Sequence, residues 1–508
     1  MRHMENIILG LSTALLPMNL LACLGGVILG TAIGVIPGIG AMAAIALILP
    51  LTFSLDPTTG IVMLAGVYYG AEYGGSTASI LLNLPGTPSN AITCLDGYPM
   101  AQQGRAGVAL FITTIASFVG GSIGIVVLTL LTPVIVDVAV AFGPAEYFAL
   151  ILLCFVAVSA IGALDVRKNI AMILIGGLVS TVGIDLYDGS YRYTFGRDEL
   201  IDGLSLVPVA MGLFGLSEII LSVRNGGTRA KQSITLRSML PTREDWRRMG
   251  LPMLRGAGFG CIFGPLPGTG PSVAALTSYA TERRVSKEPH EFGQGRVEGI
   301  AGPEASNNAA VQTAFIPTLS LGIPGTPTMA IMIGALMIHG VVPGPMLVQN
   351  EPALFWGLVM SFWIGNLLLL VLNIPLISVW VALLNIPYRL LYPSIIVLIC
   401  IGSYSISNST FDVGLMLGFG VLGYVLRRQG FAPAPLLIGF VLTPMLEENL
   451  RRGWLMGRGD PLYFASSPMA AIVLLMCFAL GGLALAGPAL RRRRARRLND
   501  IPNPGGHA

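Results

Sequence analysis

Apolar runs close to twenty residues long recur along the chain, each closed by a short stretch of glycine, proline or charge. A helix needs about 20 apolar residues to cross the hydrocarbon core of a bilayer. The strict alternation over about 10 residues that marks a transmembrane β-barrel is absent. The pattern predicts an all-α polytopic membrane protein. Residues 1–18 hold a short amphipathic stretch (5–16) suited to the membrane interface. A glycine-rich arm then runs to Val35, breaks at Pro37-Gly38, and returns through 41–53 to Asp56-Pro57. A long apolar element over 58–84 follows, broken at Pro85–Pro88. Four plainer spans are expected near 107–132, 144–162, 169–185 and 203–223.

The same order of parts then returns. GVIPGIG at 34–40 reappears 230 positions later as GPLPGTG at 264–270, and the Gly26, Gly30, Gly34 frame reappears as Gly256, Gly260, Gly264. LPGTPSN at 84–90 has its counterpart in IPGTPTM at 323–329. Two homologous repeats are expected, over 19–223 and 256–448. A basic cytoplasmic linker (224–255) joins them. A loop and a C-terminal transmembrane helix (449–490, the helix near 468–488) follow, then a basic cytoplasmic tail (491–508). Proline removes a backbone donor and clashes with the preceding turn, and glycine frays a helix. Each repeat is therefore expected to contain two broken or re-entrant segments.

Composition fits this reading. Of 508 residues, 54% are hydrophobic and 11% charged, against about 25% charged in soluble domains. The 64 glycines and 34 prolines suit close helix contacts and interrupted helices. The net charge of +4 lies in loops, where it sets orientation in the membrane, and does not point to a nucleic-acid partner. With the linker and the RRRRARR run (491–497) both cytoplasmic, an even number of crossings separates them. One extra helix then leaves an odd number per repeat, which makes the repeats inverted in topology. Arg105, Arg167, Lys168, Arg389, Arg427 and Arg428 then face inward. Arg451, Arg452 and Arg458 fall on the other side. The first residues, with Arg2 followed by Glu5, do not read as a secretory signal. Six scattered cysteines read as small buried residues.

Irregular backbone at membrane depth is tolerated only where protein buries it or a cavity lies against it. Paired breaks in corresponding positions are the mark of a transporter's binding site. The candidate substrate-binding residues in the first half are Pro37, Gly38, Gly40, Ser76, Thr77, Asn83, Pro85, Gly86, Thr87, Pro88, Ser89 and Asn90. In the second half they are Gly268, Thr269, Gly270, Ser306, Asn307, Asn308, Pro324, Gly325, Thr326 and Pro327. Hydroxyl and amide groups can coordinate a small cation or donate to an anion, and each break frees helix N-terminal N–H groups. Each piece alone has a plainer reading. A glycine frame is usually a packing surface, Pro-Gly a loop, and a membrane serine or threonine a partner for its own backbone. Glu72 and Glu304, 232 positions apart and each shortly before a PGTP break, are candidates for coupling to Na⁺ or H⁺. They could instead anchor helices at an interface. Asp96 and Asp165 are weaker candidates.

The three lysines all lie outside spans, and no arginine lies centrally in one. No nucleotide-binding loop, HExxH or Cys/His cluster is present, which argues against ATP hydrolysis, a resident metal or any cofactor, and against an enzyme. An anionic substrate would then be met by helix N-termini, neutral donors and co-bound cations, which favours symport over anion exchange.

GVIPGIG, GAEYGGSTASILLNLPGTPSNA (70–91), DGYPMA (96–101), GPLPGTGP, EASNNA (304–309) and GIPGTPTMA together resemble the large membrane subunit of the tripartite tricarboxylate transporters, the TctA family. The resemblance spans about residues 19–450. It implies a permease of the bacterial inner membrane, working with a small four-helix membrane subunit and a periplasmic solute-binding protein. An organic carboxylate would be imported down an ion gradient. It also implies that Pro37–Gly40, Pro85–Pro88, Asn307–Asn308 and Pro324–Pro327 face the substrate path. A passive channel of the same duplicated fold, or a membrane enzyme or scaffold, stands as the competing reading.

Overall fold

Proline opens many of the helices: those beginning at Pro17, Pro57, Pro144, Pro352, Pro433 and Pro468 all start on one. At the first helical position proline's missing N–H is no loss and its φ is already helical. A computed structural model describes residues 2–161, 165–185, 187–222, 234–384 and 388–499, almost entirely as helix. The exception is a two-residue antiparallel pairing of Gly183–Ile184 with Tyr191–Arg192. Among the described residues, four helical stretches are long and apolar enough to cross a membrane: Pro17–Val35, Thr93–Ala139, Pro352–Asn373 and Thr410–Arg428. The helices Gly40–Thr52 and Pro327–Ile338, of 13 and 12 residues, are not. At 1.5 Å per residue they reach about 20 Å into a layer about 30 Å thick. Each begins at a break and stops partway.

The glycine frames are packing surfaces. Helix 17–35 lies so close along helix 57–82 that a Cβ at Gly26, Gly30 or Gly34 would sit 2.2, 2.3 or 2.3 Å from the carbonyl oxygens of Met63, Val67 and Ala71. Gly74 answers from the other helix, its Cβ position 2.3 Å from Thr31 O. In the second half, Gly256 and Gly260 of helix 243–263 bring the same approach to Gly302 O and Ser306 O, at 2.1 and 2.3 Å. Only glycine lets two helix backbones touch at this range.

The boundaries differ from the sequence expectations at three points. Within the stretch read as a basic linker, Arg243, Arg247, Arg248 and Arg255 lie on the helix Arg243–Phe263, which a Thr242–Asp245 capping box starts. Arg224, Arg229 and Lys231 lie outside the described residues. The helix Pro433–Met456 runs past 448, and the last helix continues from Pro468 to Asn499, through the basic run.

Two of the arginines that defy the orientation rule are neutralised. Arg451 pairs with Asp185 and Glu447, both at 2.7 Å, and Arg452 with Glu448 at 2.6 Å. The Tyr187 N–H and the Arg451 guanidinium hold the Asp185 carboxyl below the usual range.

The glycine contacts make a measurable claim. Gly30→Ala and Gly260→Ala each force a methyl into a carbonyl and are expected to cost about 1–3 kcal/mol. Gly258→Ala, with nothing within 4 Å of the added carbon, should be neutral or stabilising. Melting of the detergent-purified chain distinguishes them; equal melting of all three would remove the close approach as a source of stability.

Candidate functional site

The four breaks meet. Gly38 and Gly40 turn the chain at φ 88° and 72°, and Gly268 and Gly270 repeat the turn at 80° and 60°. Side chains rarely adopt these values, which is why glycine stands there. Gly86 is wedged between helices: a Cβ on it would lie 2.2 Å from Gly34 O and 2.4 Å from the Gly75 Cα. In the second half the Gly268 N–H donates to Gly325 O at 2.9 Å, tying one break to the other. Asn83 and Gly322 end the helices before the PGTP segments in left-handed conformations, with φ 57° and 69°.

All four breaks border one cavity of about 710 Å³, within the usual range for small-molecule sites. Its wall takes in Pro37, Gly38, Gly40, Glu72, Pro85–Ser89, Gly268–Gly270 and Gly325–Pro327. Helices 40–52, 270–285, 327–338 and 433–456 all present their first turns to it. Ile39 and Thr269, which precede the first two, make no side-chain cap, so these turns keep N–H groups that no cap satisfies. Each N-terminus carries about half a positive charge, and together they suit an anion.

The two acids are placed differently. Glu72 is in the cavity wall, its Oε2 accepting from Thr87 Oγ1 at 3.0 Å and from Ser89 Oγ. Glu304 is fully buried behind the wall. Ser76 Oγ lies 2.9 Å from both its oxygens, Ser117 Oγ donates at 3.2 Å, and Thr93 Oγ1 donates closely. Asn90 and Asn307 donate at 3.5 Å. Asn90 links the acids: its Oδ1 accepts from Thr87 at 2.6 Å and its Nδ2 donates to Ser76 at 2.9 Å. The path from Glu72 to Glu304 thus runs through Thr87, Asn90 and Ser76.

The remaining expected residues fall outside the cavity wall. Asn308 donates to Ser117 Oγ at 2.7 Å and to Glu304 O at 3.1 Å, supporting the Glu304 shell. Ser306 Oγ is buried with no hydrogen-bond partner, and Thr77 is buried. Pro324 accepts from Cys154 Sγ at 3.6 Å. Asp96 is a fastener: its Oδ1 accepts the N–H groups of Gly293, Gly295 and Arg296 within 2.9 Å. Asp165 caps helix 166–180 through the Arg167 N–H.

Sequence reasoning missed Tyr68, Asn169, Ser272, Thr328, Glu218 and Arg427, which also border the cavity. Tyr68 had a signal, since it stands one helical turn before Glu72 on the same face. Arg427 had none, being read as an orientation charge. Its guanidinium donates to Glu218 within the cavity wall, so an arginine at a helix end joins the helix N-termini and neutral donors expected there. The arginine sits at a helix end and reaches the wall by its length.

Comparison with known proteins adds a second line of support. The profile described as "Tripartite tricarboxylate transporter TctA family" matches residues 20–438. An Agrobacterium vitis protein, "Uncharacterized 52.8 kDa protein in TAR-I ttuC' 3'region", is 47% identical over 490 residues, covering 96% of this chain and 97% of its own. A second from the same organism, "Uncharacterized protein in TAR-II ttuC' 3'region", is 52% identical over 238 residues, 46% of this chain and 97% of its own. No solved structure gives a significant match.

The linkage through Asn90 has a stability signature. Asn90→Ala removes the amide that holds Thr87 and Ser76 and donates to Glu304, leaving that buried carboxylate one donor short, and is expected to destabilise by about 1–3 kcal/mol. A melting temperature equal to wild type would show that this linkage carries no stability.

Proposed function

The chain belongs to the tripartite tricarboxylate transporter TctA family, a non-enzymatic, multi-pass transporter subunit, and from that premise we propose that the cavity is its substrate chamber. The substrate is a tricarboxylate or related organic carboxylate, taken up by Na⁺ or H⁺ symport. Its partners are a small four-helix membrane subunit and a periplasmic solute-binding protein that delivers the carboxylate. One observation carries this reading: four Pro-Gly breaks and four helix N-termini converge on one cavity with an acid in its wall.

The electrostatics argue for coupling. A carboxylate entering within about 4 Å of an ionised Glu72 meets a repulsion of about 4 kcal/mol at an effective dielectric of 20. A proton or Na⁺ at Glu72 removes that repulsion and draws further on the oxygens of Thr87 and Ser89. Glu304, one hydrogen-bonded layer behind, is the second station for the cation. Substrate and cation then bind favourably only together, which is the thermodynamic requirement of symport.

The duplicated order of breaks supports two repeats, 19–223 and 256–448, inverted about an axis in the membrane plane. Asn169, Leu221 and Arg427 in the cavity wall adjoin loops that the charge pattern assigns to the cytoplasm, which supports a chamber open to that side.

Proteoliposomes containing all three subunits test this directly. Uptake of labelled citrate or succinate should require an inward Na⁺ or H⁺ gradient, and equal uptake without either gradient would leave a passive channel. Glu72→Gln and Glu304→Gln should change the ion dependence more than the protein level; identical ion titrations in both would return these acids to a structural role. Thr87→Val should abolish uptake without loss of membrane insertion, and Asn308→Ala should do the same through the Glu304 shell. Wild-type uptake by both would move the site elsewhere.

A further inference from the structure

Arg427 has more hydrogen-bonding capacity than its neighbours use. It occupies the last turn of helix 410–428, and its Nη1 donates to Glu218 Oε2, on the last turns of the segment 206–222. Both side chains remain about a quarter exposed, at 24% and 22%, and both border the cavity. Among the described residues around the cavity, Glu72, Glu218 and Arg427 are the charged ones. The Arg427 Nε is buried with no hydrogen-bond partner. A guanidinium offers five N–H donors and takes a carboxylate best by two parallel bonds. Here the contact with Glu218 uses one nitrogen, and a donor beside it goes unused.

We propose that Arg427 is a carboxylate-binding residue of the chamber and that Glu218 is its resident counter-ion, exchanged for a carboxylate of the substrate. This rests on the chamber reading above and deepens it. An arginine left alone in a partly buried wall would carry an uncompensated charge, which is costly. Glu218 removes that cost while the chamber is empty, yet holds Arg427 by one contact and so is displaceable. An arriving carboxylate offers two oxygens and can engage Nε as well. The exchange favours anions with paired oxygens over halides and neutral solutes. It also makes the empty chamber a weaker trap for any stray anion, because Glu218 must first give way.

Two variants should move affinity in opposite directions. The probes are citrate and succinate, titrated against the purified full-length chain at constant ionic strength, with thermal stabilisation as the readout. Arg427→Gln should weaken the response about tenfold or more, the loss of a charge-assisted bond. Arg427→Lys should recover part of it, since an ammonium supplies charge without the planar fork. Glu218→Gln, which frees the guanidinium, should tighten the response several-fold. A pair that merely braces the fold would lower the melting temperature in both variants and leave the apparent affinities as in wild type, and that result overturns the assignment. So does a wild-type response that Arg427→Gln retains in full, which leaves the carboxylate chamber standing. A wild-type chain that responds to neither probe overturns the chamber reading and this assignment with it.

Discussion

Contact between helix backbones is the constraint on which this structure depends. Gly26, Gly30 and Gly34 let helix 17–35 rest on the carbonyls of helix 57–82, with no side chain between them. Gly256 and Gly260 do the same for helix 243–263 on helix 298–313. The breaks follow directly on these contacts. Gly34 itself forms part of the slot that receives Gly86, and Gly264 stands three residues before the turn at Pro267-Gly268. Non-helical backbone in a membrane needs partners, because lipid provides none. Here a glycine-tight helix pair supplies a rigid wall, and the broken segments lean on that wall and on each other, as the Gly268–Gly325 bond shows.

That arrangement brings several helix N-termini and one acid to the same cavity. The first turns of helices 40–52, 270–285 and 327–338 border the cavity, and Glu72 lies in its wall in a setting of hydroxyl groups. Glu304 has a fuller shell of neutral donors and is shut away from the cavity. The duplicated motifs therefore do not produce two equal acids. One faces the chamber and the other faces the protein, because Ser117 and Asn308 close over Glu304 while the Glu72 side lies open to the cavity.

Much of the site was legible in the chain. Pro37-Gly38, Pro85–Pro88, Gly268–Gly270 and Gly325–Pro327 announce themselves because proline and glycine leave no helical alternative. Other candidates were only half legible. Asn307 and Asn308 belong to the shell of Glu304 and not to the cavity wall, a distinction that depends on which face of helix 298–313 packs against helix 106–139. Asn169, Glu218 and Arg427 could not have been found from spacing, since they come from three separate helices.

The sequence by itself determined the class of protein, the family, the positions of the breaks and the presence of two acids beside them. These are properties of local composition: apolar length, proline chemistry, and the cost of a charge in a span. Tertiary structure alone decided that the four breaks share one cavity, that Glu72 rather than Glu304 borders it, and that Arg427 joins them with Glu218 at its side. The physical reason is distance along the chain. Glu218 and Arg427 lie 209 positions apart and Ser76 and Glu304 lie 228, so no local pattern could couple them. Only the packing of helices on glycine brings such residues within reach of a hydrogen bond.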